Sequence, residues 1–240
     1  MTSVSSGKSP HLCSKYLDLF CRVFGDSEDF AKKVVSSCDV IFLLECNGEA
    51  ICGTCLFEVK IGDMHGMYIY GAATDEQYRK EGFFKKMYRH VYNFCVGSGY
   101  SFIMTVPANS ALFSLYWHLG FNVTANGVIS LCKEKTEIIL PDKCEFYDFD
   151  GDFDRLYKLH TENDILIKSK TFFAECTSEF DVKYIRCGNS DGYALFDGKD
   201  LIFASIDGAK YKSAKKACFD FFGKNVALPK NLLCDVLMEI

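Results

Sequence analysis

The sequence predicts an α/β protein of the α+β, mixed-sheet kind, in which a sheet flanked by helices is followed by a smaller and incomplete unit of similar order. Three observations predict it. From Met67 to Phe121 apolar strand-like runs alternate with helix-like segments, the pattern of layered α/β folds. Asn47-Gly48 and Asp197-Gly198 each lie between two apolar runs, where such dipeptides close antiparallel hairpins. Finally, an order of two helices and then a meander about a glycine turn occurs twice, with Gly198 in the place of Gly48.

Each element has its own signal. Met1 to Ser9 is polar and Ser-rich, which reads as a frayed start. Leu12, Tyr16, Leu19, Phe20 and Val23 keep helical spacing within His11–Phe24, and a second helix is expected from Asp26 to Val35. Val40–Leu44 and Ala50–Val59 are strand-like, Gly62 to Gly66 is a turn, and Met67–Ala73 is an aromatic strand. From Phe83 to Val96 the residues Phe83, Phe84, Met87, Tyr88, Val91, Phe94 and Cys95 fall on one side of a helix. Ser101–Val106 is a further strand, broken by Pro107-Ala108-Asn109, and Ala111–Leu119 is a helix stopped by Gly120. Phe121–Leu131 supplies edge strands.

The charged tract Cys132–Asp142, which ends beside Pro141, reads as a linker, so the expected units are residues 1–135 and 136–240. In the second, Phe153–His160 and Ile165–Phe173 read as helices, Val182–Arg186, Gly192–Phe196 and Leu201–Ile206 as strands, and Tyr211–Phe222 as a Lys-rich helix. No Arg-x-x-Gly turn follows its last strand, so this unit is expected to bind no coenzyme of its own.

Composition bounds the function. At 240 residues the chain has room for one large domain or two, with two preferred, and 49% hydrophobic and 15% aromatic residues predict a folded globular protein. A net charge of -5 gives no basic footprint, so nucleic acid is not an expected partner and a cationic substrate is favoured. No run reaches the roughly 20 apolar residues of a membrane span. Thirteen scattered cysteines and a polar N-terminal stretch predict a reducing cytoplasm and core thiols.

The segment with the most chemical content is Gln77-Tyr78-Arg79-Lys80-Glu81-Gly82-Phe83-Phe84, which joins a strand to a helix. Free backbone amides and the positive end of the helix dipole attract phosphate at such a start. Arg79 and Lys80 add charge there, and Gly82 allows a bulky ligand close to the backbone.

These residues resemble the signature of the GNAT superfamily of acyl-coenzyme A-dependent N-acyltransferases, Gln/Arg-x-x-Gly-x-Gly/Ala, filled here by Arg79-x-x-Gly82-x-Phe84 with a bulky last residue. Val106-Pro107-Ala108-Asn109 and Phe113-Ser114-Leu115-Tyr116-Trp117-His118-Leu119-Gly120-Phe121 are similar to the family's fifth strand, fourth helix and closing Gly-Phe. The resemblance covers about half the chain. It implies a GNAT-like acyltransferase fold followed by a degenerate GNAT-like C-terminal unit, with acetyl-CoA as co-substrate, no metal, and a monomer or homodimer as the assembly. It further implies that Ala72, Ala73 and Thr74 meet pantetheine or diphosphate, that Arg79, Lys80, Glu81, Gly82, Phe83 and Phe84 hold the diphosphate, and that Asn109 bonds the pantetheine arm.

The implied chemistry is direct attack of a primary amine on the acyl carbon in a ternary complex. Tyr116 stands where the family places its general acid. A backbone amide near Tyr70 or Gly71 would polarise the thioester carbonyl, and Tyr68, Tyr70, Glu58 and Asp75 are the candidate bases. Tyr116 can equally be a packing residue and Asp75 a turn residue. An alternative is a non-catalytic acyl-CoA-binding or interaction module with the same fold. Cys52-Gly53-Thr54-Cys55 is a lone CxxC in a strand, where positions three apart face opposite ways, so core thiols are expected in place of a metal. His65, His90 and His118 are single histidines, and Lys210, Lys212, Lys215 and Lys216 read as a solvated face. The acceptor amine is open.

Overall fold

A computed structural model describes residues 2–61, 63–121, 123–128, 138–163, 166–168, 170–178, 180–211, 215–222 and 234–235. The chain falls into two compact units, one of Met1–Val59, Met64–Thr105 and Phe219–Lys224, the other of Lys60–Asp63, Val106–Cys218 and Asn225–Ile240. The expected boundary at 135 and 136, most of the expected linker, and residues 129–131 of the expected edge strands lie outside the described residues.

The first unit runs β1 (Thr2–Gly7), α1 (Pro10–Phe24), α2 (Glu28–Ser37), β2 (Val40–Cys46), β3 (Glu49–Ile61), β4 (Met64–Thr74), a 3-10 turn (Glu76–Tyr78), α3 (Phe83–Gly97) and β5 (Phe102–Thr105). Its strands lie in the order β1-β2-β3-β4-β5. The β2–β3 hairpin turns at Asn47 and Gly48, with φ of 51° and 87°, the left-handed pair that a type I′ turn requires. Ser9 caps α1 by accepting the Leu12 amide at 3.3 Å, and Pro10 opens the helix, which stops at left-handed Gly25.

Successive residues of β3 show which helix covers which face. The Cys52 sulfur lies 3.8 Å from the Met87 sulfur of α3. A Cβ on the next residue, Gly53, would instead lie 2.8 Å from the Tyr16 ring of α1. Because neighbouring strand residues point to opposite faces, α1 and α3 sandwich the sheet. Tyr16, Leu19 and Phe20 fill one side of the core, and Met87, Val91 and Cys95 fill the other.

Two expectations for this region are corrected. Within the stretch read as a frayed start, Thr2–Gly7 is ordered and pairs antiparallel with β2, from Thr2↔Cys46 to Gly7↔Ile41. The strand is held by its backbone, so its polar serines gave no apolar alternation to read. The second correction concerns the segment read as a Lys-rich helix. Residues Lys210–Tyr211 form a short strand, and Lys215–Phe221 forms a longer one whose end lies beside β5 in the first unit. Lysine spacing suggested a helix, whereas the Ala-Cys-Phe-Asp-Phe run carries strand propensity. Lys212 lies outside the described residues.

The second unit contains α4 (Ser110–Leu119), β6 (Val123–Val128), β7 (Ile138–Ile139), β8 (Cys144–Asp148), α5 (Phe153–Asn163), β9 (Leu166–Lys168), α6 (Lys170–Thr177), β10 (Asp181–Cys187), β11 (Ser190–Asp197), β12 (Asp200–Ser205), β13 (Lys210–Tyr211), most of β14 (Lys215–Phe221) and β15 (Cys234–Asp235). Four strands make an antiparallel sheet in the order β12-β11-β10-β8. The β11–β12 hairpin turns at Gly198, as expected, with φ of 59°. Ile165–Phe173, read as one helix, is divided between β9 and the start of α6. Leu156, Phe173, Tyr193 and Phe203 form the core, and buried His160 meets the Tyr193 hydroxyl at 3.0 Å.

Cys144 and Cys187 stand opposite each other on β8 and β10 and are joined by a disulfide, which corrects their reading as separate thiols. Among the described residues no helix is long and apolar enough to cross a membrane.

Candidate functional site

At the site one of two parallel strands ends and the other runs on. β4 and β5 keep register through Gly66↔Phe102, Met67↔Ile103 and Tyr68↔Met104. Just beyond, the Thr105 hydroxyl donates to the Ile69 carbonyl at 3.3 Å. β5 ends there, while β4 runs on to Thr74.

A glycine bends the extension. Gly71 has φ of +58°, and a Cβ there would fall 2.7 Å from the Phe20 ring and closer still to the Tyr16 hydroxyl. That hydroxyl donates to the Gly71 carbonyl at 2.7 Å, and the Thr54 hydroxyl donates to the preceding carbonyl, of Tyr70, at 2.8 Å. A left-handed glycine inside a strand is the mark of a bulge. Burial pushes the Tyr16 hydroxyl well above its ordinary pKa, so it stays a donor. Tyr70 packs among Phe20, Phe57 and Tyr68 at ring-centre distances of 6.4, 6.0 and 6.0 Å.

Past the bulge, Ala72 and Thr74 are half-buried and Ala73 is buried. Asp75 then starts the bend. Its Oδ1 accepts the Gln77 amide at 3.1 Å and its Oδ2 accepts from Arg22 Nε at 2.7 Å. Asp75 is therefore a turn residue bound to a cation. Arg79 folds back to donate to the Thr74 carbonyl at 3.1 Å and lies 3.7 Å from Glu76. Lys80 and Gly82 both have positive φ, 67° and 79°, on either side of Glu81.

The bend opens outward. Among the described residues, nothing but its own chain neighbours lies within 4 Å of a Cβ built on Gly82, and no side chain caps α3, which starts at Phe83. The first amides of a helix have no carbonyl of their own to bond. Here they face an exposed surface formed by Arg79, Lys80, Glu81, Gly82, Lys85 and Lys86. Phe83 sets its ring edge-on to Tyr78 at 6.2 Å. Phe84 is half-buried, so its bulk joins the helix packing and its backbone amide stays in the first turn.

The candidate residues divide between the units. Tyr70, Glu58, Ala72–Thr74 and Arg79–Phe84 belong to the first, and Asn109 and Tyr116 to the second. Asn109 caps α4 by accepting the Leu112 amide at 3.0 Å. Tyr116 is 4% exposed, with its ring 5.3 Å from Phe121. Glu58 lies 3.0 Å from His65, a partner for a histidine read as single. At roughly 3.3 Å per residue, His65 is about 16 Å back along β4 from Tyr70.

Sequence reasoning missed Tyr16, Thr54 and Arg22. Only Gly71, a glycine inside an apolar strand, signalled the bulge they support. Cys52 and Cys55 point apart as expected: Cys52 accepts from the Thr74 hydroxyl at 3.3 Å, while Cys55 reaches the Tyr70 carbonyl at 3.4 Å. Burial pushes the Cys52 thiol up to about 11.

No protein-family model matches the sequence, and no curated protein matches it. Solved structures do. A GCN5-related N-acetyltransferase from Kribbella flavida is 12% identical, with a TM-score of 0.60 over 91% of this chain and 72% of that one. One from Anabaena variabilis is 10% identical, with a TM-score of 0.61 over 90% and 72%. A probable N-acyltransferase from Enterococcus faecalis V583 is 9% identical, with a TM-score of 0.62 over 92% and 73%. A strand that outruns its parallel neighbour, a left-handed glycine within it and an open bend before α3 thus occur in a chain that has, over about 90% of its length, the fold of the GCN5-related N-acetyltransferases.

Proposed function

We propose that the protein is an N-acetyltransferase that moves an acetyl group from acetyl-CoA to a primary amine by direct attack in a ternary complex. The observation that carries this reading is the run of β4 past the end of β5, from Tyr70 to Thr74, leading to the open bend at Gly82. The names of the structural neighbours, acetyl- and acyltransferases, support it.

In this reading the pantetheine arm lies along β4 at Ala72, Ala73 and Thr74, with Asn109 as a further polar partner. The diphosphate takes hydrogen bonds from the amides that open α3, and Arg79 and Lys80 supply charge. Phe84 contributes its amide and not its ring. A backbone amide beside Tyr70 polarises the thioester carbonyl.

The amine nitrogen then bonds to the acyl carbon, the carbon–sulfur bond breaks, and the departing thiolate takes the Tyr116 hydroxyl proton. Water takes the proton lost by the amine and passes one back to the Tyr116 oxygen. Glu58 on β3 is paired with His65, which stands away from Tyr70 along β4, and is left out of the reacting centre in this reading.

Calorimetric titration with acetyl-CoA tests the binding step. The protein binds, and Gly82→Asp, which sets a carboxylate beside the diphosphate, abolishes binding. Over a panel of amines, Tyr116→Phe lowers coenzyme A release by about 10²-fold or more, the contribution of a positioned acid. Absence of acetyl-CoA binding, or unchanged binding in Gly82→Asp, rejects the proposal.

A further inference from the structure

We propose that Arg22 is a positioning residue for the coenzyme diphosphate, holding Asp75 and, through it, the bend that presents the first amides of α3. This rests on the acyltransferase reading above and adds a residue distant in sequence from the bend.

Asp75 is fixed on several sides. Its amide donates to the Ile51 carbonyl at 2.9 Å, and its carbonyl accepts the Tyr78 amide at 2.9 Å. Its carboxylate is shared between the Gln77 amide and Arg22. Only 8% of the residue is exposed, so the ionised group depends on its cation and its capped amide. Arg22 is anchored in turn, its second nitrogen donating to the Ala50 carbonyl at 3.0 Å. One guanidinium thus bridges α1, the start of β3 and the head of the bend. Its planar fork reaches two acceptors in different directions, which a single ammonium cannot do.

Without Arg22 the Asp75 carboxylate turns toward water and releases the Gln77 amide. The 3-10 turn then loses its cap, and the residues up to Gly82 lose the constraint that aims the α3 amides outward. Contacts along Ala72–Thr74 precede the bend and remain. The loss therefore falls on ligands that carry the diphosphate and spares those that do not.

The test compares coenzyme A with pantetheine, which lacks the diphosphate, by titration of the full-length protein. Wild type prefers coenzyme A. In Arg22→Gln that preference falls about tenfold, the loss expected when a charged hydrogen bond to a buried carboxylate is cut, and the affinity for pantetheine stays within about twofold. Arg22→Lys keeps the charge and one contact, so its preference falls about threefold.

A folded Arg22→Gln with unchanged preference, or with both ligands weakened equally, overturns the inference. Should Arg22→Gln fail to fold, unchanged preference in Arg22→Lys overturns it. A wild-type protein that does not distinguish the two ligands rejects the functional reading itself, before any substitution is made.

Discussion

Replacing Gly71 by alanine tests whether the bulge in β4 is built as described. Two costs combine. A non-glycine residue at φ of +58° carries roughly 1–2 kcal/mol of backbone strain. The new methyl would also press into the Tyr16 hydroxyl and the Phe20 ring, on side chains at most 2% exposed, and overpacking of this kind costs about 1–3 kcal/mol. The expected loss is roughly 2–5 kcal/mol. Gly48→Ala separates the two costs, because Gly48 has φ of +87° and nothing within 4 Å of an added Cβ. It should lose only the strain. Urea unfolding followed by circular dichroism measures both variants. Should Gly71→Ala lose no more than Gly48→Ala, the close approach of α1 to the bulge is refuted.

In the first unit, Tyr88 donates to Asp220 at 3.3 Å, and burial raises the Asp220 carboxyl above its ordinary 3.8. The folded state therefore binds the proton more tightly than the unfolded state does, and stability falls as pH rises from 3.8 through the folded pKa. Asp220→Asn should raise the thermal midpoint at neutral pH, and that gain should vanish below pH 3.8; an equal gain at both pH values contradicts the sign. In the second unit, Cys144 and Cys187 close a loop of sequence separation 43, so Cys144→Ser with Cys187→Ser should cost about 4 kcal/mol on chain-entropy grounds. Reducing the wild type should reproduce the shift in urea unfolding, and an identical transition with and without reductant contradicts it.

Local chemistry made much of this readable. Asn47-Gly48 and Asp197-Gly198 close hairpins because few residues adopt left-handed φ, and Gly82 follows basic residues where a helix begins. The supports of the site were not readable, because they are tertiary. Arg22 meets Asp75 across 53 positions, and Tyr16 meets Gly71 across 55; as sequence, both are ordinary residues of an amphipathic helix. β1 escaped notice because its pairing is through main-chain atoms. β14 was misread because lysine spacing outweighed a short aromatic run. The Cys144–Cys187 bond needed the register of two strands to appear.

The strand neighbouring β5 is drawn from far downstream in the sequence. Phe219–Lys224 counts with the first unit, where the Phe222 amide donates to the Ser101 carbonyl at 3.1 Å and the Phe222 ring meets Tyr92 at 5.0 Å. A ribosome making this polypeptide has thus moved far past β5 before that neighbour exists. During synthesis the nascent β5 presents a bare margin, open to pairing with other nascent chains. Shortened versions that stop before Phe219 keep that margin permanently and should be recovered as aggregates.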